Sequence, residues 1–313
     1  MTPSRPEVRA QQPLRPTTLG VLHQRTGTSM NTWRVSQQLP LPLAQDRFGR
    51  LHTRSAIDQT PQPFADAQPL VCASCGVPVS AVPTHTRMRT NGRIEVTAHF
   101  ALRGQPHRPR CAYDWEAVVR DLVQSSRGAL VHTERQFVLH LIDLSKVDEM
   151  PAVRLSQLTR AATAMLDDAS RVVRALELFA NDILAVRQFQ VVYADRGQER
   201  VLPWSRVFYQ ASTDLSRLLR DLRNHRRPRP RLVHGTIRTV RRVGNVQVLE
   251  FNEFAPRVRR PIRVRVQSPH PLAFARAKSN KCVLAYGVWR IAVMPEATEL
   301  RLDVPGPWAL TYW

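Results

Sequence analysis

Lysine is nearly absent from this chain. Only Lys146, Lys278 and Lys281 occur in 313 residues, so almost all of the 46 basic side chains are arginine. GC-rich coding explains arginine over lysine, but not 46 basic against 25 acidic groups. The formal charge of +21 favours a polyanionic partner, most simply a nucleic acid. Arginine also suits that role, because its planar fork grips phosphate and stacks on bases. The same shortage weighs against a metal-dependent nuclease, which gathers carboxylates and usually a lysine around Mg2+.

Long apolar runs are missing too. No stretch approaches the ~18 residues a membrane helix needs. The opening MTPSRPEVRAQQPLRP has no apolar core of the kind a signal peptide carries. There is no lipid-anchor motif and no long basic amphipathic helix, so no membrane partner is expected. The four cysteines do not form a disulfide framework, and a reducing cytoplasm fits. There is no P-loop, no dinucleotide fingerprint and no recognisable Ser/His/Asp arrangement. Apolar residues make up 43% of the chain, enough for a packed core.

Three of the four cysteines fall within residues 70–111. Cys72 and Cys75 form a C-x2-C pair followed by Gly76, the shape of a knuckle whose two thiolates reach one ion while glycine relieves the bend. His107 and Cys111 form an H-x3-C pair that would complete a Cys3His site. His99 and His85 are the competing fourth ligands; His107 is preferred because its spacing to Cys111 suits a turn closing on one ion. A redox role for Cys72 and Cys75 is disfavoured, since Gly-Val-Pro-Val after Cys75 is a poor helix start. Between the pairs, IEVTAHF reads as one strand, and a hairpin there would bring the pairs together. Four protein ligands leave no open position, so a bound Zn2+ would be structural.

The chain read in order gives an α+β protein: an N-terminal zinc-ribbon-like β module, a central helical segment and a C-terminal small β-barrel, OB-like. The expected parts are 1–29, a disordered basic tail; 30–127, the zinc-ribbon-like module with its following helix; 128–228, a mixed segment dominated by helices; and 229–313, the barrel. Met30 is a second possible start. Residues 33–57 read as a hairpin turning at 46–49, and 58–69 as a loop. After Cys111, Trp115, Val118, Val119, Leu122 and Val123 recur at helical spacing behind Asp114. His132 and His140 lie on or near a strand and read as surface or core residues. Residues 152–187 carry the longest helical pattern, read as two helices breaking near 167–170 and offering a possible protein-docking face. Beyond Leu232 five short strands follow. In the third, Arg263 and Arg265 alternate with Ile262, Val264 and Val266, giving one apolar and one cationic face. Gly235 suggests a bulge or bend. Cys282 reads as a buried apolar residue.

Residues 39–111 resemble the N-terminal region of the competence protein CoiA family. The resemblance rests on Ala44-x-Asp46-x-x-Gly49, on Cys72-x-x-Cys75-Gly76, on His99-Phe100 and on the His107/Cys111 pair. It implies a zinc-binding module and a link to DNA-handling proteins. The Glu…His…Lys start of that family's nuclease half does not follow Cys111, so nuclease activity is not implied.

Two arginine clusters complete the functional reading. The first is Arg223, Arg226, Arg227, Arg229 and Arg231, in a segment held extended by Pro228 and Pro230. The second is Arg257, Arg259, Arg260, Arg263 and Arg265. On a shared face they would hold nucleic acid, single strands of DNA or RNA being favoured by the barrel. Phe251, Phe254, Trp289 and Trp308 are candidate stacking residues. The expected role is a zinc-stabilised, non-enzymatic nucleic-acid-binding accessory protein of DNA metabolism or uptake. The alternatives are a diverged metal-dependent nuclease, using carboxylates among Glu134, Asp143, Glu250 and Glu253, and a protein-interaction scaffold.

Overall fold

One aspartate sets the first turn of the chain. Asp46 is 5% exposed, and its carboxylate accepts from the amides of Phe48 and Arg50, each at 2.8 Å. His52 Nε2 lies 3.0 Å from the same group. Burial opposes ionisation, but these hydrogen bonds outweigh it and hold the carboxyl below its usual range. Gly49 follows at φ 81°, where a side chain would be strained. The turn joins β1 (Leu43–Gln45) to β2 (Leu51–Thr53), the hairpin expected there. Helix α1 (Arg54–Gln59) was not foreseen.

In this computed structural model the described residues are 39–59, 64, 67–89, 92–126, 128–133, 136–142, 151–195, 198–225, 229–252 and 261–313. They lie in one compact unit, Gln37–Trp313. The tail read at 1–29, and Met30, fall outside the described residues.

The fold is mixed α+β with several sheets. β3 (Leu70–Cys72) pairs with β1, placing Ala44 opposite Cys72. β4 (Pro78–Val82) follows, and the sheet order is β2-β1-β3-β4-β7, with β7 at His99–Leu102. The segment IEVTAHF is not one strand. β5 (His85–Arg89) and β6 (Gly92–Val96) form their own two-stranded hairpin, and the chain rejoins the larger sheet only at β7. The pinning of the hairpin base explains the split. Asp58 accepts from the Thr84 amide and hydroxyl, and Thr84 Oγ1 accepts from the Ala98 amide at 3.0 Å.

Helix α2 (Trp115–Ser125) starts where the sequence places it, with Asp114 accepting from the Ala117 amide. β8 (Leu130–His132) and β9 (Phe137–Leu141) follow. Helix α3 (Ala152–Leu178) then runs unbroken for 27 residues. The break expected near 167–170 is not there. Asp167 accepts from Thr311 Oγ1 at 3.0 Å and Ser170 Oγ bonds the Asp167 carbonyl, so the polar residues serve packing rather than a stop. The break falls instead at Ala180 and Asn181, with φ of 54° and 52°, before α4 (Ile183–Val186). The face of α3 from Ala162 to Leu176 is buried. β10 (Phe189–Asp195) returns parallel to β9 and β11 (Gln198–Pro203) completes the sheet β11-β10-β9-β8.

The third sheet holds β12 (Phe208–Gln210), which leads into α5 (Ala211–Asn224), and then β13 (Pro230–Val243), β14 (Val246–Phe251), β15 (Ile262–Ser268), β16 (Cys282–Val293), β17 (Thr298–Asp303) and β18 (Leu310–Tyr312). Its order is β12-β13-β14-β15-β17-β16-β18, with an additional β13–β16 pairing. β13 serves two ladders: 230–236 pairs with β16 and 237–243 with β14. The register shift that permits this lies between Ile237 and Thr239, not at Gly235. Ile262, Val264 and Val266 point inward, as their alternation requires, against Leu249, Leu300 and Leu302, and α5 adds Leu215, Leu218 and Leu219. Cys282 is half-buried at the start of β16.

His234 on β13 is 5% exposed, stacked on Trp313 at 4.9 Å and near Phe208 at 6.4 Å. Glu177 Oε1 approaches Nδ1 to 3.2 Å without hydrogen-bond geometry. Burial brings the imidazole down to about 4 and pushes the Glu177 carboxyl up. The folded state therefore resists a proton that an unfolded histidine takes up near ~6.5. The His234 contribution to stability should be full above that value and shrink by at most about 2 kcal/mol between pH 7 and pH 5, offset in part by the raised Glu177 carboxyl, which takes up a proton more readily folded than unfolded. Denaturant titrations at the two pH values check this; His234→Phe should flatten that part of the profile.

Candidate metal centre and basic surface

The knuckle forms where β3 ends. The Cys72 amide bonds the Val77 carbonyl at 2.8 Å and the Gly76 amide bonds the Cys72 carbonyl at 2.9 Å. Gly76 sits at φ 72°, so the turn can close on itself. β4 and β7 then carry the chain out and back, and the Arg103 amide bonds the Pro78 carbonyl at 3.1 Å beside the knuckle. That return delivers His107 and Cys111. Cys72 Sγ lies 3.7 Å from Cys111 Sγ, and Cys75 Sγ lies 3.5 Å from His107 Nδ1.

All four ligand atoms lie within 4.8 Å of one another and can hold one metal ion. Among the described residues this is the one His/Cys/Asp/Glu group so arranged. Cys72 and Cys111 are buried, Cys75 and His107 half-buried. His99 and His85, the competing ligands, turn to backbone carbonyls of Thr97 and Pro83 instead.

Backbone amides support the sulfurs. Those of Ser74 and Cys75 face the Cys72 sulfur; those of Val77 and Arg108 face that of Cys75. The Tyr113 amide bonds Cys111 Sγ at 3.4 Å, and the Ala112 amide bonds Ser74 Oγ at 2.9 Å. Burial pushes the Cys72 thiol up to about 12. Burial also opposes ionising Cys75, but His107 and its two amides outweigh it and bring that thiol down to about 6. A metal ion entering here displaces thiol protons, so its affinity rises with pH.

No family model matches the chain, and no curated protein matches it.

The arginines divide into paired and exposed groups. Arg231 is 2% exposed and donates to Asp221 at 2.8 and 2.5 Å. It is part of the core and has no face to offer a ligand. Arg265 bridges Glu250 at 3.1 Å and Glu299 at 3.1 Å. Arg241 also holds Glu250 and Arg301 also holds Glu299. Three guanidiniums and two carboxylates thus alternate across β13, β14, β15 and β17, so the outer face of β15 is less cationic than its sequence suggests. Arg223 and Arg263 are exposed and Arg229 is half-buried. Arg226, Arg227, Arg257, Arg259 and Arg260 lie outside the described residues.

Exposed Arg238 and Arg263 line one cleft of about 250 Å3, with Arg265, Glu250 and Asn252. Neither Arg238 nor Arg263 forms an ion pair with a described residue. Sequence reasoning missed Arg238, Arg241 and Arg242. The adjacent Arg241-Arg242 before the Gly244-Asn245 turn was a visible signal, and so was the alternation of Arg238 with the buried Ile237.

Two of the stacking candidates are buried in the core: Phe251 is 4% and Trp289 3% exposed. Trp308 is half-buried, with its ring close over Gly306, and Phe254 lies outside the described residues. Among the described residues Phe48 is an exposed aromatic, at 62%, which sequence reasoning did not single out. Of the acidic candidates for a nuclease, Glu250 is ion-paired as described. Burial opposes its ionisation, but Arg241 and Arg265 outweigh it and hold the carboxyl low. Glu134, Asp143 and Glu253 lie outside the described residues. Among those described, no helix is long and apolar enough to cross a membrane.

Proposed function

We propose that this chain is a zinc-stabilised, non-enzymatic nucleic-acid-binding protein, an accessory factor of DNA metabolism or uptake. The observation that carries the reading is the cleft bounded by Arg238 and Arg263, two exposed guanidiniums without described carboxylate partners, on a chain with formal charge +21. Guanidiniums at such an edge can meet successive phosphates.

The ladder that leaves β13 along β14 passes through β15, β17 and β16 and returns to β13. This supports reading the five strands as an OB-like barrel, a form that takes single strands across its outer face. Zinc is the favoured metal. Two Zn–S bonds of ~2.3 Å at a tetrahedral angle set sulfurs ~3.8 Å apart, and one Zn–S with one Zn–N bond sets ~3.5 Å. The separations of 3.7 and 3.5 Å agree with this. With all four ligands from the protein, zinc would hold the module together and take no part in a reaction. The Asp46 turn and the Cys72 knuckle, which carry the CoiA-like resemblance, sit on neighbouring strands of one sheet. That adjacency supports extending the resemblance to a DNA-handling role.

The test is fluorescence anisotropy with a labelled single-stranded oligonucleotide at two salt concentrations. Binding should weaken steeply with salt. Arg238→Ala with Arg263→Ala should weaken it about tenfold and lower the salt slope by about 1.4, as expected for two lost phosphate contacts on a single strand. Binding that ignores salt would remove this reading.

A further inference from the structure

The β1–β2 turn presents an aromatic ring to solvent between two cations. Phe48 is 62% exposed. The guanidinium carbon of Arg47 lies 4.6 Å from its centroid and that of Arg50 lies 5.6 Å away. Both arginines are themselves exposed. Leu51, also 62% exposed, extends the apolar surface.

The turn is braced from beneath. Asp46 fixes the amides of Phe48 and Arg50 and approaches His52, and Gln45 Nε2 donates to the Gly49 carbonyl at 3.0 Å. β1 is itself held on both edges, by β2 and β3. A buried carboxylate is thus used to present side chains that contribute nothing to the core.

We propose that the Arg47-Phe48-Gly49-Arg50 turn is a contact for single-stranded nucleic acid, receiving one unpaired base on the Phe48 ring. The base displaces an exposed guanidinium from the ring, and the displaced arginine meets the neighbouring phosphate. A phenyl face stacks on any base, and guanidinium planes stack likewise. A base inside a duplex already has both faces covered, so the turn selects unpaired strands. The proposal rests on the nucleic-acid reading above, but it names a different element and a different part of the ligand.

The experiment compares wild type, Phe48→Ala and Phe48→Trp on three labelled probes: oligo-dT, an abasic strand of equal length, and a duplex. Phe48→Ala should lose roughly tenfold in affinity for oligo-dT, and Phe48→Trp should keep it. On the abasic strand and the duplex Phe48→Ala should match wild type. Thermal melting should be nearly unchanged, since the ring is exposed. Unchanged oligo-dT affinity in Phe48→Ala, or an equal loss on the abasic strand, overturns the proposal while leaving the nucleic-acid reading intact. Failure of wild type to bind any probe overturns both.

Discussion

Cys72→Ser should abolish stoichiometric metal binding and lower the stability of the unit Gln37–Trp313 by at least ~3 kcal/mol. Metal analysis of the purified wild type should give about one Zn per chain, and the variant close to none. The loss should not stop at the module, because the ligand-bearing segment leads straight into the core. Tyr113, two residues after Cys111, packs edge-on against Phe179 at 6.2 Å. Trp115 packs on the same ring at 4.9 Å and on Phe189 at 6.0 Å. Trp115 Nε1 also donates to Gln188 Oε1 at 2.9 Å, and Arg54 pairs with Asp182 at 2.6 Å. Releasing the metal frees Cys111 and loosens these contacts, so hydrogen exchange should speed up in α3 and β10 as well as around the knuckle. Cys282→Ser is the control: its thiol lies outside the ligand group, and metal content should not change. Full zinc and full stability in Cys72→Ser would sink the assignment.

Arg231→Ala should cost about 3–5 kcal/mol, as removal of one partner from a buried ion pair does. The variant leaves the Asp221 carboxylate beside the buried Tyr209 hydroxyl with only His225 Nε2, at 3.3 Å, as a cationic partner. The Arg231 carbonyl also accepts from Trp289 Nε1 at 3.4 Å, so a shift in β13 reaches the core. Replacing both partners by apolar residues, Asp221→Leu with Arg231→Met, should recover most of the loss. Burial opposes the charge on Asp221, but Arg231 outweighs it and holds the carboxyl below its usual range. The pair's contribution is therefore complete above the unfolded value of ~3.9 and is lost as pH falls through the lower folded value. Denaturant titration reads the stability. Oligonucleotide affinity of the folded variant separates the two roles: it should match wild type if Arg231 is structural, and fall if Arg231 contacts phosphate.

The two arginine clusters show where sequence reading stops. Arg231 and Arg223 look alike in a run of basic residues, yet one is sealed against Asp221 and the other faces solvent. Strand alternation put Arg263 and Arg265 on an outer face, which holds, but Arg265 is claimed by Glu250 from β14 and Glu299 from β17. Pairing across strands depends on register, which a single strand does not encode. The helix break shows the same limit. Asp167 and Ser170 carry the chemistry of a stop, but Thr311, 144 residues away, gives Asp167 a partner inside the fold.

The sequence alone determined the charge, the helix starting behind Asp114, the Asp46 turn and the four metal-ligand candidates. Each of these is local: spacing along a few residues fixes a cap, a turn or a chelating pair. Only the tertiary structure decided that Cys72 and Cys111 lie 3.7 Å apart, that Arg231 is sealed against Asp221 while Arg263 is exposed, and that Phe48 rather than Trp289 meets solvent. Those outcomes depend on which strands lie side by side, and that is settled by burying apolar surface across the whole chain rather than by any one segment.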